Sequence, residues 1–192
     1  MKIGLLGGSF NPVHNGHIEL AQTAFDSFKL DKILFLPSGN HPLKKHSDNP
    51  TIEIRYDLTK KAIASNPHFE ISRLDMETTK PSYTKLLILR LHKAFPHDAF
   101  YFIAGSDIIS ELKNWHDYKW ILDNIEFIIA HRPDIDRSVW NDLEYIDKFH
   151  FMEMEPIDIS STNIRKMIVK SKDISALVPS NIEKELITLY SS

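Results

Sequence analysis

Short apolar runs recur along the chain at Ile3–Leu6, Ile33–Leu36, Phe69–Leu74, Phe100–Ala104 and Phe127–Ala130, each strand-sized and nearly free of charge. Between them lie segments with helical spacing or helix-starting residues, which predict helices over His17–Phe28, Ile52–Ser65, Ser82–Phe95 and Ser106–Leu112. A sixth strand is expected near Phe149–Met154, followed by a helix over Ser161–Val169 and another beginning at Pro179, a residue favoured in a first helical turn. Strands that are apolar throughout and alternate with helices imply a parallel sheet covered on both faces. The expected architecture is therefore α/β, a doubly wound parallel sheet with a C-terminal helical closure. The stretch Pro37–Pro50 lacks periodicity and reads as one long loop, and loops of that length in compact domains often carry function.

Composition narrows the picture. The chain has 192 residues, and at roughly 150 residues per domain this predicts a single domain over residues 1–192. Hydrophobic residues make up 42% and charged residues 26%, enough to build a core. The net charge of −3 argues against a basic nucleic-acid-binding surface. The absence of cysteine excludes disulfide scaffolds, thiolate metal sites and thiol catalysis, and fits a reducing cytoplasm. No apolar run approaches the ~18 residues of a membrane span, and the opening stretch is too short for the ~7–15-residue apolar core of a signal peptide. A soluble, cytoplasmic protein with no membrane partner is expected, with self-association left open.

Two segments hold candidate chemistry. The first strand runs into Gly7-Gly8-Ser9-Phe10-Asn11-Pro12-Val13-His14-Asn15-Gly16-His17 at the start of a helix. Ligands of an open parallel sheet bind at the carboxyl ends of its strands, so this turn is where a nucleotide would sit, and two imidazoles three apart can address one anion. A tight glycine turn with surface histidines is the plainer alternative for Gly-Gly alone, but it leaves the rest of the string unexplained. The P-loop lysine pattern and the G-x-G-x-x-G fingerprint are both missing here. Near the other end, Ile159-Ser160-Ser161-Thr162-Asn163-Ile164-Arg165 precedes an apolar-periodic helix. Ser or Thr there can simply cap the helix. Helix amides, two hydroxyls and a guanidinium one turn inside also make a phosphate site. Two anion sites at opposite ends of the chain suggest a triphosphate.

Together these strings resemble the H-x-G-H nucleotidyltransferase superfamily, and within it most closely the bacterial nicotinate mononucleotide adenylyltransferases. The resemblance continues in order through Pro42-Leu43-Lys44, Lys80-Pro81-Ser82-Tyr83-Thr84, Phe102-Ile103-Ala104-Gly105-Ser106-Asp107, Trp115-His116 and Val178-Pro179-Ser180. It implies transfer of AMP from ATP to nicotinate mononucleotide with Mg²⁺ assisting and no covalent intermediate. By position it implies that His14, His17, Lys44 and Arg165 stabilise the transferring phosphates, and that Gly8, Ser9, Phe10, Gly16, Gly105, Asp107, Ser161 and Thr162 surround ATP. Trp115 resembles the aromatic that stacks on the nicotinate ring, with the backbone near Thr84 and His116 receiving its carboxylate. For Trp115 a place in the core is the ordinary alternative. For Asp107 the ordinary alternative is a helix cap.

The chain departs from the resemblance at Leu43, where many members carry His before the loop lysine, and at Leu87, where Thr is common. The first removes one phosphate donor from the loop, although Lys44 and Lys45 still supply charge there and His46 is the candidate to compensate. Sister families transfer nucleotides to phosphopantetheine, and nicotinamide mononucleotide is a further acceptor. A phosphodiesterase using His14, His17 and Asp107 as metal ligands is a second reading, although the glutamate base of H-E-x-x-H is missing. A non-catalytic nucleotide sensor is a third.

Overall fold

The structure is a computed structural model that describes residues 1–39, 50–76, 83–131, 140, 143–155 and 157–191. Its centre is a six-stranded, all-parallel sheet in the order β3-β2-β1-β4-β5-β6. The strands are β1 (Lys2–Gly8), β2 (Lys32–Pro37), β3 (Phe69–Ile71), β4 (Ala99–Gly105), β5 (Glu126–His131) and β6 (Phe149–Glu153). All six fall where the apolar runs place them. β3 is shorter than its run, because Ser72 pairs with β2 only through its backbone N–H to the Phe35 carbonyl before the chain turns away.

Helices cover both faces. On one, α1 (Asn15–Phe28), α2 (Ile52–Ile63), α6 (Ser161–Val169) and α7 (Ser180–Tyr190) bury a core built around Phe10, Ile33, Phe35, Ile103, Ile128 and Ile164. On the other, α3 (Thr84–Ala94), α4 (Ile108–Glu111) and α5 (Tyr118–Asn124) pack on Leu5, Leu36, Phe127 and Ile129. The alternation of faces follows from the pleat: Leu6 points into the first core and Leu5 into the second.

Two elements differ in kind from expectation, and two helix ends shift: α1 begins at Asn15 rather than His17 and α2 stops at Ile63 rather than Ser65. The helix expected over Ser106–Leu112 is a single turn, α4, continued as a 3₁₀ turn over Leu112–Asn114. Helix α5 is not foreshadowed: it starts from Asp117 in the left-handed conformation (φ 57°) and is only seven residues long. The α3 expectation began at Ser82, which lies outside the described residues, as does nearly all of the Pro37–Pro50 loop with Leu43, Lys44, Lys45 and His46. Among the described residues no helix is long and apolar enough to cross a membrane.

β1 lies at the centre of the sheet, between β2 and β4, and at Gly4 the packing leaves no room for a side chain. A Cβ there would meet Ile33 Cδ1 at 2.6 Å, Ile103 Cδ1 at 2.8 Å and Leu30 Cδ1 at 2.9 Å. Three close contacts from three directions cannot all be relieved by one rotamer change. Gly4→Ala is therefore expected to lower stability by about 1–3 kcal/mol, as overpacked cores do, seen as a shifted urea midpoint with unchanged slope.

Candidate active site

Strand order reverses between β1 and β4, so the chain leaves these neighbours in opposite directions and a crevice opens beyond their carboxyl ends. A cleft of about 540 Å³ lies there. It is lined by His14, Gly16 and His17 from the start of α1, by Gly105 at the end of β4 and Asp107 just after it, and by Met154, Glu155, Ile157, Asp158 and Ile159 after β6. Five of the residues singled out in the sequence thus share one cavity.

The two imidazoles are held in fixed relation. His14 is the N-cap of α1, and its backbone N–H donates to His17 Nδ1 at 3.2 Å. That bond leaves the His17 proton on Nε2, so the neutral ring still offers one N–H donor. The rings stack 3.7 Å apart, and Phe10 supports His17 edge-on from below at 5.1 Å. His14 is buried, and its Nδ1 has no hydrogen-bond partner among the described residues. Gly16 makes this arrangement feasible, because a Cβ there would stand 3.1 Å from that nitrogen and 2.9 Å from Ile157. Burial lowers the His14 pKa to about 4. Burial, and then the neighbouring His14, lower that of His17 to about 3. Both rings are neutral at pH 7, ready to gain from an anion that supplies the missing counter-charge.

Glycine also matters at Gly105, where a Cβ would lie 2.8 Å from the Asp107 carboxylate. Asp107 precedes α4 but makes no side-chain cap, so the capping alternative does not describe it, and its carboxylate faces the cleft instead. Gly8 leaves space for the Phe10 ring, 3.0 Å from where a Cβ would sit. Phe10 itself has its side chain in the core and a positive φ of 44°, leaving its backbone as the part available to a ligand.

At the start of α6 the cap is Ser160, whose hydroxyl accepts from the Asn163 N–H at 3.2 Å. Ser161 and Thr162 are thereby spared that duty. Ser161 donates to the Pro12 carbonyl at 2.8 Å, and Arg165 donates to the Asn11 carbonyl and, at 3.3 Å, to Thr162 Oγ1. The two strings from opposite ends of the chain therefore meet.

Thr84, Trp115 and His116 gather on the opposite face of the sheet. Thr84 opens α3; the ring of Tyr83 just before it lies 4.8 Å from that of His116. Lys85 pairs with Asp117 at 2.8 Å, joining the same two segments. Half-buried Trp115 meets Phe102 edge-on at 5.8 Å, and Phe102 in turn lies against Gly7 at the end of β1.

Sequence reasoning missed the wall formed by Met154, Glu155, Ile157 and Asp158, residues with no periodicity, and it missed Arg55. Arg55 is buried on the inner face of α2 with Leu58, Thr59 and Ala62, at positions where the helical period calls for apolar residues. A charge out of register in an otherwise apolar stripe was the available signal. Among the described residues no three His, Asp or Glu side chains converge as a protein-built metal site.

An open parallel sheet with its cleft at the switch point, a pair of imidazoles at one helix start and a guanidinium at another defines a nucleotide-binding α/β protein. The chain belongs to the cytidylyltransferase-like family, whose model matches residues 5–167, and within it to the nicotinate-nucleotide adenylyltransferases. A relative from Clostridium tetani named "Probable nicotinate-nucleotide adenylyltransferase" is 35% identical over 184 residues, covering 93% of this chain and 92% of its own. One of the same name from Moorella thermoacetica is 35% identical over 190 residues, covering 95% and 88%. Among solved structures, Plasmodium falciparum nicotinic acid mononucleotide adenylyltransferase complexed with NaAD superimposes with a TM-score of 0.78 over 99% of this chain and 97% of its own, at 21% identity, a likeness of fold.

The lowered histidine pKa values make stability pH-dependent in a defined direction. The unfolded chain binds these protons near pH 6.5 and the folded chain only near 4 and 3, so the contribution is complete above about pH 6.5 and is lost as pH falls. Denaturant titrations between pH 7 and 4 should show stability dropping by a few kcal/mol in order of magnitude, and the slope should flatten in the His14→Asn/His17→Gln variant. Ring resonances of either histidine titrating near pH 6.5 in the folded protein would contradict this.

Proposed function

We propose that this chain transfers AMP from ATP to nicotinate mononucleotide, giving nicotinate adenine dinucleotide and pyrophosphate. The observation that carries the reading is the convergence of the His14–His17 pair and the Asp107 turn in one cleft, with the Arg165 helix start tied to the loop that leads into it. Family membership supports the acceptor, as does the NaAD held by the Plasmodium falciparum neighbour.

Nucleotidyl transfer rests on alignment and on stabilising charge at phosphorus rather than on a protein nucleophile. A phosphate oxygen of the acceptor attacks the α-phosphorus of ATP in line, and the bond to the β-phosphate oxygen breaks as pyrophosphate leaves. In this reading His17 donates its Nε2–H to the α-phosphate and His14 stands beside it. Arg165, Ser161 and Thr162 address the departing phosphates, and Lys44 adds charge from the loop. Gly8, Ser9, Phe10 and Gly16 form the floor under the nucleotide, while Gly105 and Asp107 stand at its ribose side. Trp115 stacks on the pyridine ring, with backbone N–H groups near Thr84 and His116 meeting the carboxylate.

The donor set suits a metal that arrives on the triphosphate, since Asp107, Asp158 and Glu155 supply acidic groups around the cleft without forming a cage. Mg²⁺ is the metal proposed; bound there it would screen the phosphate charge. A cytoplasmic location and action on small molecules without nucleic acid belong to the same reading.

Pyrophosphate release with ATP, Mg²⁺ and a panel of nicotinate mononucleotide, nicotinamide mononucleotide and phosphopantetheine tests the proposal. The first should be preferred over the second by roughly ten- to a hundredfold in kcat/KM, because an amide leaves a buried N–H donor facing its own NH₂. Equal rates would remove the carboxylate pocket. In the same assay His17→Ala should lower kcat by roughly 10²-fold while the fold is retained, as loss of a preorganised donor does. Arg165→Lys should also be impaired, since a point charge does not replace the guanidinium fork. A normal kcat in folded His17→Ala would take His17 out of the reaction.

A further inference from the structure

The loop from Ser9 to Pro12 presents four acceptors, and donors from three different helices meet them. Arg55 of α2 donates through Nη1 to the Ser9 carbonyl and through Nη2 to the Ser38 carbonyl at 3.0 Å. Arg165 of α6 donates to the Asn11 carbonyl, and Ser161 to that of Pro12. The Tyr190 hydroxyl, from the last turn of α7, donates to Asn11 Oδ1. Just beyond, Asn15 donates through its backbone and side-chain N–H groups to the carbonyls of Leu177 and Ala176, both at 2.9 Å. Arg165 and Ser161 already have places in the proposed reaction. Arg55 and Tyr190 have none, and neither lines the cleft.

We infer that Arg55 and Tyr190 are positioning residues that clamp the Ser9–Pro12 loop from behind and so fix where its backbone and the two histidines stand relative to bound nucleotide. Burying a guanidinium is costly, and Arg55 is buried at a helix position that an apolar residue would fill more cheaply. What it obtains there is two backbone carbonyls, one on the first residue after β1 and one on the first residue after β2. Tyr190 is half-buried, and burial raises its pKa to about 12. Its hydroxyl therefore stays protonated and keeps donating throughout the physiological range. A loop held by donors on its outer side has its carbonyls occupied, which leaves its N–H groups and the helix start beyond it for an anion. Small displacements of such groups are known to cost large factors in rate.

The catalytic consequence rests on the adenylyl transfer proposed above, whereas the clamp itself does not. Four variants of the full chain separate the two: Tyr190→Phe, which removes only the hydroxyl; Arg55→Lys, which keeps charge but not the fork; Asn11→Ala; and Tyr190→Phe/Asn11→Ala. Tyr190→Phe should lower kcat about tenfold, the upper end for one net hydrogen bond, with both KM values within about twofold. The double variant should be no slower than Asn11→Ala, because the hydroxyl acts through that side chain. Hydrogen exchange at the amides of residues 9–11 and 13 should quicken in Tyr190→Phe and Arg55→Lys. Lys61→Ala, which breaks the exposed ion pair to Glu185 between the same two helices, should leave kcat and exchange as they were. Unchanged exchange in Tyr190→Phe and Arg55→Lys would overturn the clamp. Faster exchange with unchanged kcat, or additive losses in the double variant, would overturn its positioning role. If the wild-type chain releases no pyrophosphate from ATP and nicotinate mononucleotide, the assigned reaction falls, and the exchange measurements still decide the clamp.

Discussion

A backbone carbonyl taken out of water must find a donor, and the loop after β1 has several that no strand or helix can satisfy. The rest of the molecule is arranged around that demand. Helices α2, α6 and α7, from positions tens to nearly two hundred residues away in sequence, each extend a donor toward it, the most distant pair being Tyr190 and Asn11, 179 positions apart. The C-terminal helices therefore do more than cover apolar strands. They complete the hydrogen bonding of a segment that would otherwise have no fixed shape, and the histidine pair at the start of α1 takes its place from that segment.

The histidines illustrate how one packing decision sets chemistry. Packing the imidazoles against each other, with Phe10 against His17, screens them from water and lowers both pKa values, and the bond from the His14 N–H fixes which nitrogen of His17 carries the proton. A neutral stacked pair avoids the repulsion two imidazoliums would suffer at 3.7 Å. In the adenylyl-transfer reading, a phosphate brought against the pair would offset the charge that burial disfavours, so the pair would gain charge with its ligand rather than carry it in advance.

Much of this was legible in the sequence where a physical period or a spacing carries it. The apolar runs marked all six strands, and Ser161–Val169 was bounded as found because Ser160 and the apolar spacing state its start. The H-x-G-H string and the Ser161–Arg165 string pointed to a common anion before any contact between them was visible. What escaped detection lacked such a signature. Helix α5 is too short for a period and begins from a left-handed aspartate; the cleft wall of Met154, Glu155, Ile157 and Asp158 has no period and takes its meaning only from what it faces. Arg55 and Tyr190 act through contacts of long sequence separation, which no local pattern encodes.

Helix α7 is about three turns long and touches chiefly α2 and α6. Elements of that kind open locally far more often than the centre of a sheet does. Because its last turn holds Asn11, each such opening withdraws the Tyr190 hydroxyl while Arg55, Arg165 and Ser161 keep their carbonyls and β1 stays paired. The shape of the loop thus follows the equilibrium of this helix as well as the global unfolding free energy, so mild denaturant should loosen one anchor of the loop before the sheet itself gives way.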